Sequence, residues 1–94
     1  MRNVRILGNY KDNDVELCRT TNRNAGKESA EALMEARIPF TRNEKKIPFF
    51  QRERYNGATQ MWVISVNPRR YGQARKALDQ LDYFYRERLV FSNY

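Results

Sequence analysis

Arg52 and Arg54 alternate with Gln51 and Glu53, so on an extended strand both guanidinium groups project to one side together with Phe50. On an open sheet such a trio stacks a base on the ring and clamps phosphates with the arginines, as single-strand RNA-binding sheets do. The plainer reading is an amphipathic strand whose arginines snorkel from an edge. The ribonucleoprotein signature Lys/Arg-Gly-Phe/Tyr-Gly/Ala-Phe-Val is absent from the sequence, which counts against RNA. Arg69 and Arg70 form a second cationic pair, directly after Pro68 in the first turn of an expected helix. There they oppose the positive end of the helix dipole at about 0.3–1 kcal/mol each when exposed, and a bound phosphate or carboxylate would reverse the sign. Two side chains pointing into water are the simpler alternative.

A third group is aromatic: Tyr83-Phe84-Tyr85 with Phe91 and Tyr94. Consecutive helical residues turn by about 100° each, so one core stripe cannot cover Tyr83, Phe84 and Tyr85 together. Tyr85 continues the expected stripe, leaving Phe84 or Tyr83 exposed beside Arg86 and Arg88, the composition of an interface. Arg42, Lys45, Lys46 and Lys11 fall in expected loops, where a flexible anion contact or plain solvation would place them. Cys18 is the single cysteine, so no internal disulfide forms. Beside Arg19 it reads as a low-pKa thiol or, facing inward, as a small hydrophobe.

Catalysis is poorly represented. The sequence has no histidine, and its 11 carboxylates form no acid/base pair by spacing. It lacks a phosphate-cradling glycine loop, a nucleophile elbow and a metal-ligand cluster. A non-enzymatic protein with no cofactor and no metal is expected.

The elements that must position these residues are those of one small domain of 94 residues. Twelve aromatics suffice for a modest core, since each buries roughly 150–250 Å². No apolar run is long enough to span a membrane. The start, Met-Arg-Asn-Val-Arg-Ile, carries no apolar stretch of signal-peptide kind, and the expected compartment is the cytoplasm. The net charge is +7, and arginine supplies 13 of the 18 basic residues. That favours bidentate contacts with phosphate or carboxylate, although a solvated basic surface has the same composition.

The clearest local signal is Asn56-Gly57, which suits the positive φ angles of a two-residue hairpin turn. It predicts a hairpin over Pro48–Val66 in which Phe49 faces Ile64, Phe50 faces Val63 and Arg52 faces Met61. Trp62, Ile64 and Val66 then line a core face with Phe49 and Tyr55, and Phe50, Arg52 and Arg54 line a contact face with Thr59, Met61 and Val63. Upstream, Val4–Tyr10 is a first expected strand, residues 11–14 a turn, and Val15–Thr21 a second strand pairing back on the first. A helix follows from Asn24 to Arg37, with Asn24 as N-cap, and Pro39 stops it. Ile38 and Phe40 open an extended segment, and Thr41–Lys46 reads as a polar loop. Asn67-Pro68 starts the last helix, whose stripe is Tyr71, Ala74, Leu78, Leu81 and Tyr85. It runs to Arg88, or breaks near Asp82 so that Leu89–Phe91 adds an edge strand.

This succession predicts an α+β, ferredoxin-like or related two-layer sandwich, with two helices packed on one face of an antiparallel sheet. Residues Glu28–Phe40, then Met61–Val66 and Tyr71–Leu78, resemble a family of small bacterial domains with a helix, Gly-Ile-Pro, loop, strand, helix pattern, described only as signal-transducing proteins. The resemblance covers about half the chain and implies no catalytic residues. Arg37 stands where that family has glycine, which implies a different helix end. In general texture the whole chain resembles small proteins carried on mobile elements of gut bacteria, which implies no activity.

The expectation is therefore a basic, non-catalytic interaction module for an acidic partner surface. If mobile-element or phage-encoded, one form is an inhibitor of a host defence complex. Direct RNA or DNA binding through Phe50, Arg52 and Arg54 is the first alternative, and a homodimeric regulatory domain is the second.

Overall fold

The computed structural model describes residues 2–5 and 14–92. Its elements are β1 (Arg2–Arg5), β2 (Val15–Thr20), α1 (Arg23–Glu35), β3 (Phe40–Lys46), a 3-10 arm (Phe49–Tyr55) and β4 (Gln60–Val66). A 3-10 turn (Pro68–Arg70), α2 (Tyr71–Asp79), α3 (Tyr83–Arg86) and β5 (Val90–Phe91) complete them. The five strands lie in the order β1-β3-β4-β2-β5, every neighbouring pair antiparallel. Without β1, the chain reads β-α-β-β-α-β with β4 inserted between β2 and β3, the split arrangement of ferredoxin-like sheets. The expected α+β two-layer sandwich is the fold, and β1 widens it at the β3 edge.

Strand alternation sorts the two faces. Trp62, Ile64 and Val66 of β4 share a face with Phe40 of β3 and with Cys18 and Thr20 of β2. Helices α1 and α2 cover that face through Ala25, Ala30, Leu33, Ala74 and Leu78, all buried in one apolar cluster. In β2 the register shifts between Glu16 and Cys18. This bulge lets the consecutive residues Leu17 and Cys18 both reach 0% exposure. It also returns Glu16 and Arg19 to the helix-free face, where they form a two-pronged ion pair at 2.6 and 2.7 Å. In an unbroken strand residues three apart point to opposite faces, so the bulge makes that pair.

Helix α1 begins one turn-fraction earlier than expected. Asn22, not Asn24, is the N-cap, accepting from the Ala25 N–H at 2.9 Å. At the other end Arg37 takes φ 58, Arg37 N–H donates to Met34 O and Ile38 N–H to Leu33 O. These two bonds are the Schellman pattern that glycine usually closes. The arginine takes this left-handed turn at a steric cost.

Three pairings differ from expectation. Thr41–Lys46 belongs to β3 rather than a loop: its backbone is bonded to β1 on one side and β4 on the other, which needs no apolar side chains. Strand β2 is real, but pairs with β4 and β5 rather than with β1, which pairs with β3. The extension of β1 to Tyr10, the turn at residues 11–13 and Tyr94 lie outside the described residues. The third difference is the hairpin. Lys46 pairs with Gln60 and Glu44 with Trp62, so Phe49, Phe50 and Arg52 face no strand partner.

After α2 the chain breaks at Asp82, whose side chain accepts from the Phe84 N–H at 2.9 Å and caps α3. Of the two alternatives for the C-terminal segment, the edge strand is therefore formed. Tyr71 closes this end by donating its hydroxyl to Ser92 O at 2.9 Å.

Candidate functional site

The segment that read as a strand is an arm. Ile47 N–H donates to Thr59 O at 2.9 Å, tying its two roots together. Between them Phe49–Tyr55 winds as a 3-10 helix. Asn56 (φ 57) and Gly57 (φ 83) do take positive φ, but as the C-cap of this helix, with Gly57 N–H donating to Arg52 O at 2.8 Å. Asn-Gly satisfies either geometry, a helix end or a hairpin turn. Here the residues before it coil, because β3 has already ended at Lys46.

Coiling rearranges the expected trio. With three residues per turn, Phe49, Arg52 and Tyr55 share one side, whereas Phe50, Arg52 and Arg54 do not. The expected common face of Phe50, Arg52 and Arg54 is corrected accordingly. Arg52 folds back, its Nε donating to Ile47 O at 3.2 Å and its guanidinium lying 5.8 Å from the Phe49 ring centre. Tyr55 reaches the helix-free face and joins Glu16 around Arg19. Glu16, foremost by its hydrogen bonds and then by its charge, holds the Arg19 guanidinium pKa above its ordinary value, with Tyr55 adding to it. The arm thus lies anchored at both roots and through Tyr55. Its leading residues are bare: Phe49 is 83% and Phe50 80% exposed, and Arg54, further along, is exposed as well.

The other candidates lie apart. Asn67 accepts from Arg69 N–H at 2.9 Å and Pro68 takes the first helical position, as expected. Arg70 spends its Nε on Gln73 Oε1 at 2.6 Å, leaving Arg69 exposed in that turn. Phe84 is 52% and Tyr83 67% exposed, while Tyr85 packs against the core, as the turn angle requires. Arg88 stacks its guanidinium 3.8 Å over the Phe84 ring, and Arg86 lies 6.0 Å over Tyr83. Cys18 is the inward hydrophobe of the two readings: burial pushes its thiol from 9.0 to about 12, helped by Glu16 and opposed by Arg75.

One feature has no forerunner as a unit in the sequence. A cleft of about 690 Å³ opens between the start of α1 and the ends of β3 and β4. Arg23, Asn24, Gly26 and Lys27 line it from the helix, and Arg42, Glu44, Gln60 and Trp62 from the sheet. The register explains the convergence: Glu44 pairs with Trp62 and Arg42 with Ile64, all on the helix-covered face. A Cβ on Gly26 would sit 3.7 Å from the Trp62 Cβ, so the helix approaches the tryptophan closely. Of its lining residues the sequence singled out Arg42 as a loop cation, Trp62 as a core residue and Asn24 as a helix cap, with nothing to bring the three together.

Among the described residues no helix is long and apolar enough to cross a membrane. No family model, curated protein or solved structure matches the chain.

Proposed function

We propose that this chain is a small basic binding module whose arm docks on an acidic protein surface and acts by occupancy rather than catalysis. The observation that supports it is the exposure of Phe49 and Phe50, 83% and 80%, on an arm held at its roots by hydrogen bonds. Two phenylalanine rings left in water forgo roughly 25 cal/mol per Å² of burial, which a partner surface would recover. Because the arm is already folded, little ordering entropy opposes docking. Arg52, 5.8 Å from the Phe49 ring centre, supplies the charge-bearing rim typical of such contacts. The net charge of +7 steers the molecule towards acidic surfaces.

The test begins with capture from nuclease-treated cell extract and ends with the complex reconstituted from purified components. The expected partner is acidic, binding falls with salt, and Phe49→Ala/Phe50→Ala weakens it at least tenfold while the thermal melt stays near that of the parent. Equal affinity for parent and variant would overturn the reading. Retention of nucleic acid alone, when nuclease is omitted, would favour the RNA or DNA alternative instead.

A further inference from the structure

The cleft beside α1 carries a second binding capacity, independent of the arm. Three cations, Arg23, Lys27 and Arg42, line it against a single carboxylate, Glu44. None of the four side chains makes a hydrogen bond or ion pair with another described residue. Arg23 stands on the first turn of α1, where the helix dipole disfavours it and no acidic residue lies beside it in that turn. An anion in the cleft would relieve both effects. Trp62 adds what simple charge solvation does not need, a half-buried indole facing the same space. Glu44 and Gln60 supply an acceptor and an amide next to that ring.

We infer that the cleft binds a nucleoside phosphate, with the phosphate on Arg23, Lys27 and Arg42 and the base against Trp62. Each part has a physical counterpart. Guanidinium groups bind phosphate oxygens in a two-pronged manner. An indole offers a stacking surface to any base. Glu44 repels the phosphate and so directs it to the cationic side, while accepting hydrogen bonds from a base amine or sugar hydroxyls. A volume of about 690 Å³ falls within the range of small-molecule sites. The same chemistry is offered by a free nucleotide and by one unit of a single strand, and affinity distinguishes the two sources.

Trp62 is the only tryptophan in the chain, so its fluorescence reports on this cleft alone. The full chain is titrated with uridine monophosphate, with uridine, with inorganic phosphate and with an eight-nucleotide oligouridylate, excited at the red edge to spare nucleotide absorption. Saturable quenching by the monophosphate is expected, with uridine and phosphate each binding at least tenfold more weakly. An oligonucleotide binding tenfold tighter than the monophosphate assigns the site to a strand; equal affinity assigns it to the free nucleotide. Arg42→Glu is expected to weaken binding at least tenfold, and calorimetry on Trp62→Leu to show a similar loss, both with melts near the parent's. Lys27→Glu repeats the charge test should Arg42→Glu unfold. Phe49→Ala/Phe50→Ala should bind nucleotide like the parent, separating this site from the arm. No saturable binding below millimolar nucleotide, inorganic phosphate binding as well as the nucleotide, or undiminished binding by both folded charge-reversal variants would overturn the inference.

Discussion

Cys18 and Arg37 show how single residues acquire their properties from position. Cys18 sits at the bulge of β2 with no exposed surface, and its thiol is pushed from 9.0 to about 12, first by desolvation. The thiolate is the nucleophile, so the folded protein is expected to resist a disulfide reagent at pH 8 and react only once denatured. The folded thiol keeps its proton to higher pH than the unfolded one. Its contribution to stability is therefore complete below pH 9 and declines as pH rises towards 12. Cys18→Ala should flatten that alkaline decline, read from denaturant melts at several pH values; an identical decline in the variant would assign it to other groups. Arg37 takes φ 58 at the end of α1. A left-handed conformation costs a residue with a Cβ roughly 1–2 kcal/mol, and glycine avoids it. Arg37→Gly is expected to stabilise the domain by about 1 kcal/mol, seen as a higher melting temperature. A lower one would mean that the arginine side chain contributes more than its backbone costs.

At the scale of elements the arm is the informative case. Gly57 has φ 83 and open space where a Cβ would project, so a substitution there meets backbone strain and no clash. Gly57→Val is expected to cost about 1–3 kcal/mol through a β-branched residue in the left-handed region. A hairpin turn would lose as much, because positive φ is a property of the dipeptide and not of the element it ends. What precedes it decides the element, and there the sequence misled. Phe49, Phe50 and Tyr55 have strand composition, yet β3 ends at Lys46 and leaves them unpaired. Conversely, the charged run Thr41–Lys46 hides a strand bonded on both sides. Periodicity exposed α1, β4 and α2 because each buries one face of its own. It missed β3, whose Arg42 and Glu44 put charge on the helix-covered face, where they line the cleft rather than the apolar core. The N-cap and proline at Asn67-Pro68 were legible because capping chemistry is local. The pairing of β1 with β3 was not, since it depends on partners nearly forty positions apart.

For the whole molecule, charge and apolar exposure act against each other, and the candidate sites follow from that tension. Exposed rings and an exposed arginine were visible residue by residue at Phe50, Phe84 and Arg54. The cleft was not, because Arg23 and Lys27 meet Arg42 and Trp62 only when α1 crosses the sheet at Gly26. Besides Met34 of α1, the exposed large apolar side chains fall on the arm, with Phe49 and Phe50, and near the C-terminal end, with Tyr83, Phe84 and Val90. Either cluster would favour association of copies, but each copy carries +7, and like charges repel over a screening length of about 10 Å at 0.1 M salt. Salt therefore separates two kinds of assembly. Contact with an acidic partner weakens as salt rises, whereas pairing of identical basic chains through aromatic surface strengthens. Phe84→Glu removes apolar surface from the C-terminal cluster and places a carboxylate within reach of Arg88, which now stacks on the ring. The fold is expected to survive, with a melt within a few degrees of the parent. Light scattering across a salt series should show the parent gaining mass at high salt and Phe84→Glu gaining less. A variant that unfolds would place Phe84 in the core, and one that associates like the parent would leave the C-terminal cluster without a role between copies.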